Sequence, residues 1–77
     1  MIGNPYMKEL AIQSVADVRS ALAFISTAAT DDEAAHAAED AMRSKVLELV
    51  ADGHPDSVAL AKLALQSSAI KFARWCA

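Results

Sequence analysis

The sequence has few of the residues that cross-link a small protein or carry it into a membrane. Cys76 is its single cysteine, so no disulfide can form within one chain. No apolar run approaches the roughly 18 residues that span a membrane, and the first residues lack the basic and apolar pattern of a secretory signal. We therefore expect a cytoplasmic protein that has no contact with a membrane.

Glycine, proline and basic residues are also scarce. Gly3 and Gly53 are the two glycines, too few for a loop that cradles phosphate. The net charge of −3 argues against nucleic acid, which rewards dense lysine and arginine. A helix-turn-helix interpretation of the chain around Gly53 also fails, because residues 57–65 offer one lysine and one serine for contacts to bases and phosphates. We expect no nucleic-acid partner.

What the chain does contain is helical periodicity, which begins close to its N-terminus. Asn4 can cap a helix, and Pro5 suits the first helical position. Apolar side chains then recur at steps of three and four residues, within an arc of about 80°. These are Met7, Ala11, Val15, Val18, Leu22, Ile25 and Ala29. The pattern predicts a first helix from Pro5 to Ala28.

A second helix is predicted from Asp31 to Asp52. Thr30 and Glu33 have the spacing of a capping box, in which the threonine hydroxyl accepts a hydrogen bond from the glutamate amide. Gly53 can end the helix in the left-handed conformation. Because the link to the first helix is only a residue or two, we expect the two helices to form an antiparallel hairpin.

The third helix is predicted to start within His54-Pro55-Asp56-Ser57, with Pro55 near the first helical position. It is apolar over most of its circumference. Such a helix is either the buried centre of a bundle or contacts a second chain. Ser67 and Ser68 then favour a break, although a straight continuation or a short fourth helix remains open. The sequence thus predicts a single all-α domain over residues 1–77: a small helical bundle made of the hairpin, a third helix and an aromatic C-terminal segment.

One cluster has the spacing of metal ligands. His36, Glu39 and Asp40 lie within about one turn of the second helix. A metal needs three or four such groups to converge, and pairing of His36 with Asp40 and of Glu39 with Arg43 accounts for these residues more simply. We expect no metal and no cofactor. The apolar stripe of the second helix consists of Ala35, Ala38, Met42, Val46, Leu49 and Val50. Glu39 falls on this stripe, so it should be partly buried or should face a polar group of the first helix or the tail.

The aromatic residues suggest contacts beyond one chain. Phe72 and Trp75, beside Arg74, either close the open end of the hairpin or form a binding hot spot. Ile12 and Phe24 lie on opposite sides of the first stripe, which favours covering by a second chain and hence a homodimer. The Cys76 thiol has no base placed beside it by the sequence, and we expect no enzymatic activity.

The segment from Asp31 to the tail resembles small uncharacterised proteins of phages, prophages and plasmids. The similarity rests on His36-Ala-Ala-Glu39-Asp40, on Ala51-Asp52-Gly53 and on the ending Phe72-Ala-Arg-Trp-Cys-Ala. It implies no assigned activity and supplies no functional residue. The context that it implies is occupation of a surface on a host protein, as inhibitors of defence systems do.

The sequence therefore predicts a non-enzymatic protein that binds and inhibits or modulates a host protein. Acidic side chains would steer it toward a basic surface, and an arginine with large apolar side chains would supply affinity. The expected binding residues are Asp31, Asp32, Glu33 and Asp40 in the first group and Phe24, Phe72, Arg74 and Trp75 in the second. The alternative is a structural or assembly module that self-associates.

Overall fold

The computed structural model describes residues 11–74, which form three α-helices. These are α1 (Val15–Thr27), α2 (Asp32–Ala51) and α3 (Ser57–Leu65). A 3₁₀ turn at Ala28–Thr30 connects α1 to α2, and a second at Gln66–Ala69 follows α3. No β-strand occurs within residues 11–74, so the predicted all-α bundle is confirmed in its class.

Helix α1 begins later than the periodicity predicts. Residues 11–13 are not helical, and Ser14 is the extended N-cap residue. The Ser14 hydroxyl accepts a hydrogen bond from the Asp17 amide at 3.3 Å, and the Asp17 carboxylate accepts one from the Gln13 amide at 2.9 Å. This reciprocal cap starts the helix at Val15. The predicted start at Pro5 is therefore wrong for residues 11–14, and its earlier part lies outside the described residues.

Helix α2 is capped by Asp31. The Asp31 backbone is extended, and its carboxylate accepts a hydrogen bond from the Ala34 amide at 3.1 Å. Thr30 belongs instead to the 3₁₀ turn that tightens the chain after α1. An N-cap residue must leave the helical conformation, so the predicted capping box of Thr30 and Glu33 is wrong by one residue.

The end of α2 follows the prediction. Gly53 has a φ of +80°, its amide donates to the Val50 carbonyl, and the His54 amide donates to the Leu49 carbonyl, each at 3.0 Å. These two hydrogen bonds define a Schellman motif, which satisfies the last carbonyl groups of the helix. The predicted left-handed glycine is therefore confirmed.

His54 ties the turn between α2 and α3 to the start of α1. Its Nδ1 accepts a hydrogen bond from the Asp56 amide at 2.9 Å, and its Nε2 lies 3.0 Å from the Gln13 carbonyl oxygen. A neutral imidazole with its proton on Nε2 satisfies both contacts. The histidine is thus a structural turn residue, consistent with its position in the sequence.

The break predicted at Ser67 and Ser68 is present. Helix α3 ends at Leu65, the two serines lie in the 3₁₀ turn, and the chain is extended at Ile70. No fourth α-helix forms before Arg74, where the described residues end.

The core lies where the three helices meet. Helix α1 packs against α2 and α3, and α2 packs against α3. The largest fully buried apolar side chains come from all three helices; they are Val18, Ile25, Met42, Val46 and Leu60. Ile12 is also buried, so the prediction that it needs a second chain to cover it is wrong. That prediction assumed a helix at a position where the chain is not helical. Among the described helices, none is long and apolar enough to cross a bilayer.

The capping assignment gives a first prediction. Asp31→Ala should lower the free energy of unfolding by about 1 kcal/mol, because it leaves the Ala34 amide without its acceptor. Thr30→Ala, one residue earlier, is the matched control and should change stability by less than about 0.5 kcal/mol. Thermal and urea unfolding measure both variants. A larger loss for Thr30→Ala would restore the capping box at Thr30 and contradict the structure.

Candidate functional site

An apolar groove runs between α2 and α3 on the outer surface of the protein. Its volume is about 240 Å³, and one cationic side chain, Arg43, joins its otherwise apolar lining. The lining residues are Arg43, Val46, Leu47, Val50, Ala61, Ala64 and Leu65. Leu47 and Leu65 are 68% and 65% exposed, and Val58, two turns before Leu65 on the same side of α3, is 67% exposed. We call the groove together with these three side chains the groove face.

The groove face exists because α3 has apolar residues on more sides than the described chain can cover. Leu60 and Ala64 fill the inner side of α3 and are buried in the core. Residues 11–74 provide no further element to cover Val58 and Leu65 on the outer side. The broad apolar arc of α3 indicated this surface in the sequence. Leu47 gave no such signal, because it lies off the predicted stripe of α2.

A partly buried ion pair lies beyond the end of the groove. The Glu39 carboxylate on α2 accepts two hydrogen bonds from the Arg74 guanidinium, from Nε at 2.9 Å and from Nη2 at 3.0 Å. Arg74 also donates to the carbonyl oxygens of Ser67 and Ile70, and its guanidinium lies 3.8 Å above the Phe72 ring. This bidentate pair ties the tail to α2. Glu39 was expected to be partly buried or to face a polar group of the first helix or the tail; it is buried, and the group that it faces is the Arg74 guanidinium of the tail.

The surroundings of Glu39 keep its carboxyl ionised. Burial raises the pKa of Glu39, because it removes water from the charged form. Hydrogen bonds from Arg74 and from the Ser67 hydroxyl, with the positive charges of Arg74 and Arg43, outweigh that effect and hold the pKa below its ordinary value of 4.5. The carboxylate therefore serves as a permanent acceptor at neutral pH.

Arg43 connects this ion pair to the groove. Its guanidinium donates to the buried Ser67 hydroxyl from Nε at 3.1 Å and from Nη2 at 2.9 Å, and to the Ser68 hydroxyl at 2.9 Å. The Glu39 carboxylate lies 4.0 Å away. Two guanidinium groups thus share one carboxylate, and the chain just beyond α3 is fastened to α2.

The acidic residues predicted to bind a partner lie at the N-cap and in the first half of α2, and two of them have structural roles. Asp31 caps the helix, and the Asp32 carboxylate accepts a hydrogen bond from the Ala73 amide at 3.1 Å. Glu33 is exposed, and Asp40 is exposed beside His36, with 3.6 Å between Nδ1 and Oδ2. These residues do not line the groove. They lie nearer the start of α2.

The predicted aromatic and arginine anchors are partly used within the chain. Phe24 and Phe72 are half-buried and pack against the core, and Arg74 is engaged with Glu39. Trp75 lies outside the described residues. Within residues 11–74, the predicted anchor residues are therefore less exposed than Leu47, Val58 and Leu65 of the groove face.

The possible metal cluster separates into pairs. His36 contacts Asp40, and Glu39 pairs with Arg43 and Arg74. Within residues 11–74, no three histidine, cysteine, aspartate or glutamate side chains are grouped so that they could hold a metal ion.

No family model matches the chain, and neither a curated protein nor a solved structure is significantly similar to it.

The ion pair gives a second prediction. Arg74→Ala should lower the free energy of unfolding by about 1–2 kcal/mol, because it leaves a buried carboxylate short of two donors while part of the site stays open to solvent. Lys71→Ala, an exposed cation in the same segment, is the control and should be nearly neutral. Chemical denaturation measures both. Equal losses would contradict a structural role for the Arg74 guanidinium.

A third prediction concerns pH. The pKa of Glu39 is lower in the folded protein than in the unfolded chain, so its stabilisation is complete above the unfolded value and is lost as pH falls through the folded value. Glu39→Gln should therefore be less stable than the wild type at neutral pH, and the difference should narrow below pH 4.5.

Unfolding by urea at a series of pH values measures this difference. Glu33→Gln removes the same charge at an exposed position of α2 and serves as the control. A wild-type advantage over Glu39→Gln that stayed constant down to about pH 3 would contradict the assignment, because such an advantage would not depend on the carboxylate charge.

Proposed function

We propose that this protein acts without catalysis, by binding another protein through the groove face. One observation carries the proposal. Of the exposed large apolar side chains of the described chain, Leu47 and Leu65 line a single groove, and Val58 lies on the same side of α3 as Leu65. Scattered apolar residues are normal on a protein surface, whereas a contiguous patch marks an interaction site.

The shape of the groove face suits a helical partner. Two neighbouring helices with small residues between them, here Ala61 and Ala64, leave room for side chains of a further helix to insert. Leu47 and Leu65 would pack against that helix from either side. Burial of such residues contributes about 25 cal/mol for each Å² of apolar surface removed from water, and this supplies the affinity.

The start of α2 would steer the approach. Asp31, Glu33 and Asp40 are exposed, and their charges favour a partner with a basic surface. Phe24 and Phe72 pack on the core, so in this proposal the groove face replaces them as the apolar anchor. The role of Arg74 is to fasten the tail that carries Phe72.

The finer form of the proposal follows the resemblance to proteins of phages and plasmids. The target is then a host protein, met in the cytoplasm and inhibited or modulated by steric occlusion. An antiparallel arrangement of α1 and α2 and a homodimer belong to the same proposal. The alternative function is a self-associating assembly module. It is favoured by the opposite charges of Glu48 and Lys62, which lie on the two flanks of the groove face.

Affinity capture tests the proposal and gives a fourth prediction. Immobilised wild-type protein should recover a specific protein from bacterial lysate, and Leu65→Asp should reduce that recovery at least about tenfold, because it places a charge in the apolar contact. Ala59→Asp adds the same charge at an exposed position of α3 outside the groove and should recover the protein as the wild type does.

Mass spectrometry quantifies the recovered proteins, and circular dichroism verifies that each variant is helical. Recovery that is equal for Leu65→Asp and Ala59→Asp would exclude the groove face as the binding surface. Recovery of no protein by the wild type would overturn the host-binding form of the proposal.

A further inference from the structure

The two helices that form the groove face run in opposite directions. Residues 52–56 connect α2 to α3, and Arg43 of α2 bonds to Ser67 just beyond the end of α3. Arg43 and Ser67 are therefore level along the helix pair. Since both helices rise about 1.5 Å for each residue, Glu48, five residues after Arg43, lies level with Lys62, five residues before Ser67.

Glu48 lies on the flank of α2 that faces away from α3. The groove is lined on this helix by Leu47 and by Val50, which lies about 60° round the helix axis from Leu47. Glu48 is about 100° from Leu47 in the opposite direction. Its side chain is 64% exposed and contacts Lys45 of the same helix at 3.5 Å.

Lys62 lies on the corresponding flank of α3. The groove is lined on this helix by Leu65 and Ala61, and Lys62 is about 60° round the axis from Leu65, on the side away from Ala61. It is exposed. The groove face is thus bordered at one level by an acid on its α2 side and by a base on its α3 side.

This arrangement is complementary to itself. A two-fold axis that is parallel to the helices and lies in the contact plane places α2 of one copy over α3 of the other. Rotation about this axis leaves the position of each residue along the helix direction unchanged. Leu47 then packs near Leu65 of the second copy. Glu48 meets Lys62 of the second copy, and the symmetry repeats that pair on the other flank.

We propose that a second copy of this chain occupies the groove face, in a symmetric dimer whose central four helices are α2 and α3 of both copies. This inference rests on the proposed function of the groove face as a protein-binding surface and names a second copy as its occupant, so that a host protein would bind the dimer at another surface. It agrees with four-helix packing, in which helical pairs bury their apolar faces against one another. Asp31 and Glu33 lie at least about 20 Å along α2 from Leu47, outside the contact and open to a further target.

A charge exchange tests the dimer and gives a fifth prediction. Sedimentation equilibrium of the full chain should show a monomer–dimer equilibrium. Glu48→Lys or Lys62→Glu should weaken it roughly five- to thirtyfold, because two favourable pairs between copies become two like-charge pairs. The double variant, Glu48→Lys with Lys62→Glu, should restore the wild-type dissociation constant to within about threefold.

Two further variants make the comparison specific. Glu33→Lys changes the same charge far from the groove face and should leave the dimer unaffected. Leu65→Asp should give a monomer that remains helical by circular dichroism, since this leucine is largely exposed. Glu48→Lys and the double variant both lose the contact to Lys45 within α2, so restoration by the double variant reports on the contact between copies.

The opposite outcomes are distinct. A wild-type protein that stays monomeric up to about 1 mM overturns the inference, and so does a dimer that the double variant fails to restore. A monomer that still captures another protein through Leu65 overturns this inference alone and supports a heterologous helix in the groove. A dimer of the proposed design that captures no other protein supports this inference and overturns the host-binding function.

Discussion

The Glu39 carboxylate lies on the buried side of α2, where an ionised group must be matched by donors and opposite charge. Arg74 comes from the tail to match it through two hydrogen bonds, and Arg43 lies at 4.0 Å while donating to Ser67 and Ser68. The chain that follows α3 is therefore fixed at both its serines and its arginine. Removing the carboxylate would release constraints on the 3₁₀ turn, the extended segment and the position of Phe72 together.

That constraint also shapes the exposed surface. With the end of α3 held against α2, Leu60 and Ala64 face the core, and Val58 and Leu65 face outward. Helix α3 has nine residues and is apolar over most of its circumference, and two neighbouring helices cannot cover all of that surface. The groove face is the physical consequence, and the charges on its flanks make it complementary to a second copy of itself.

Local chemistry explains which expectations from the sequence were accurate. Gly53 ended α2 as predicted, because a left-handed residue is needed there and glycine adopts that conformation at little cost. The break at Ser67 and Ser68 was predicted as well. The errors at the starts of α1 and α2 have a shared cause: apolar periodicity continues through a helix boundary, whereas the boundary depends on which of several polar side chains reaches a free amide. Ser14 and Asp31 make those bonds at the starts of α1 and α2.

The sequence alone determined the helical class, the division into three helices, and the need for Glu39 to be partly buried or to find a polar partner, because each depends on residue type and on spacing within one element. Tertiary structure decided that the partner is Arg74, that Ile12 is buried, and that Leu47 joins Val58 and Leu65 in one face. These features depend on how separate segments meet in space. Periodicity along a single helix carries no information about the rotation of that helix against its neighbours.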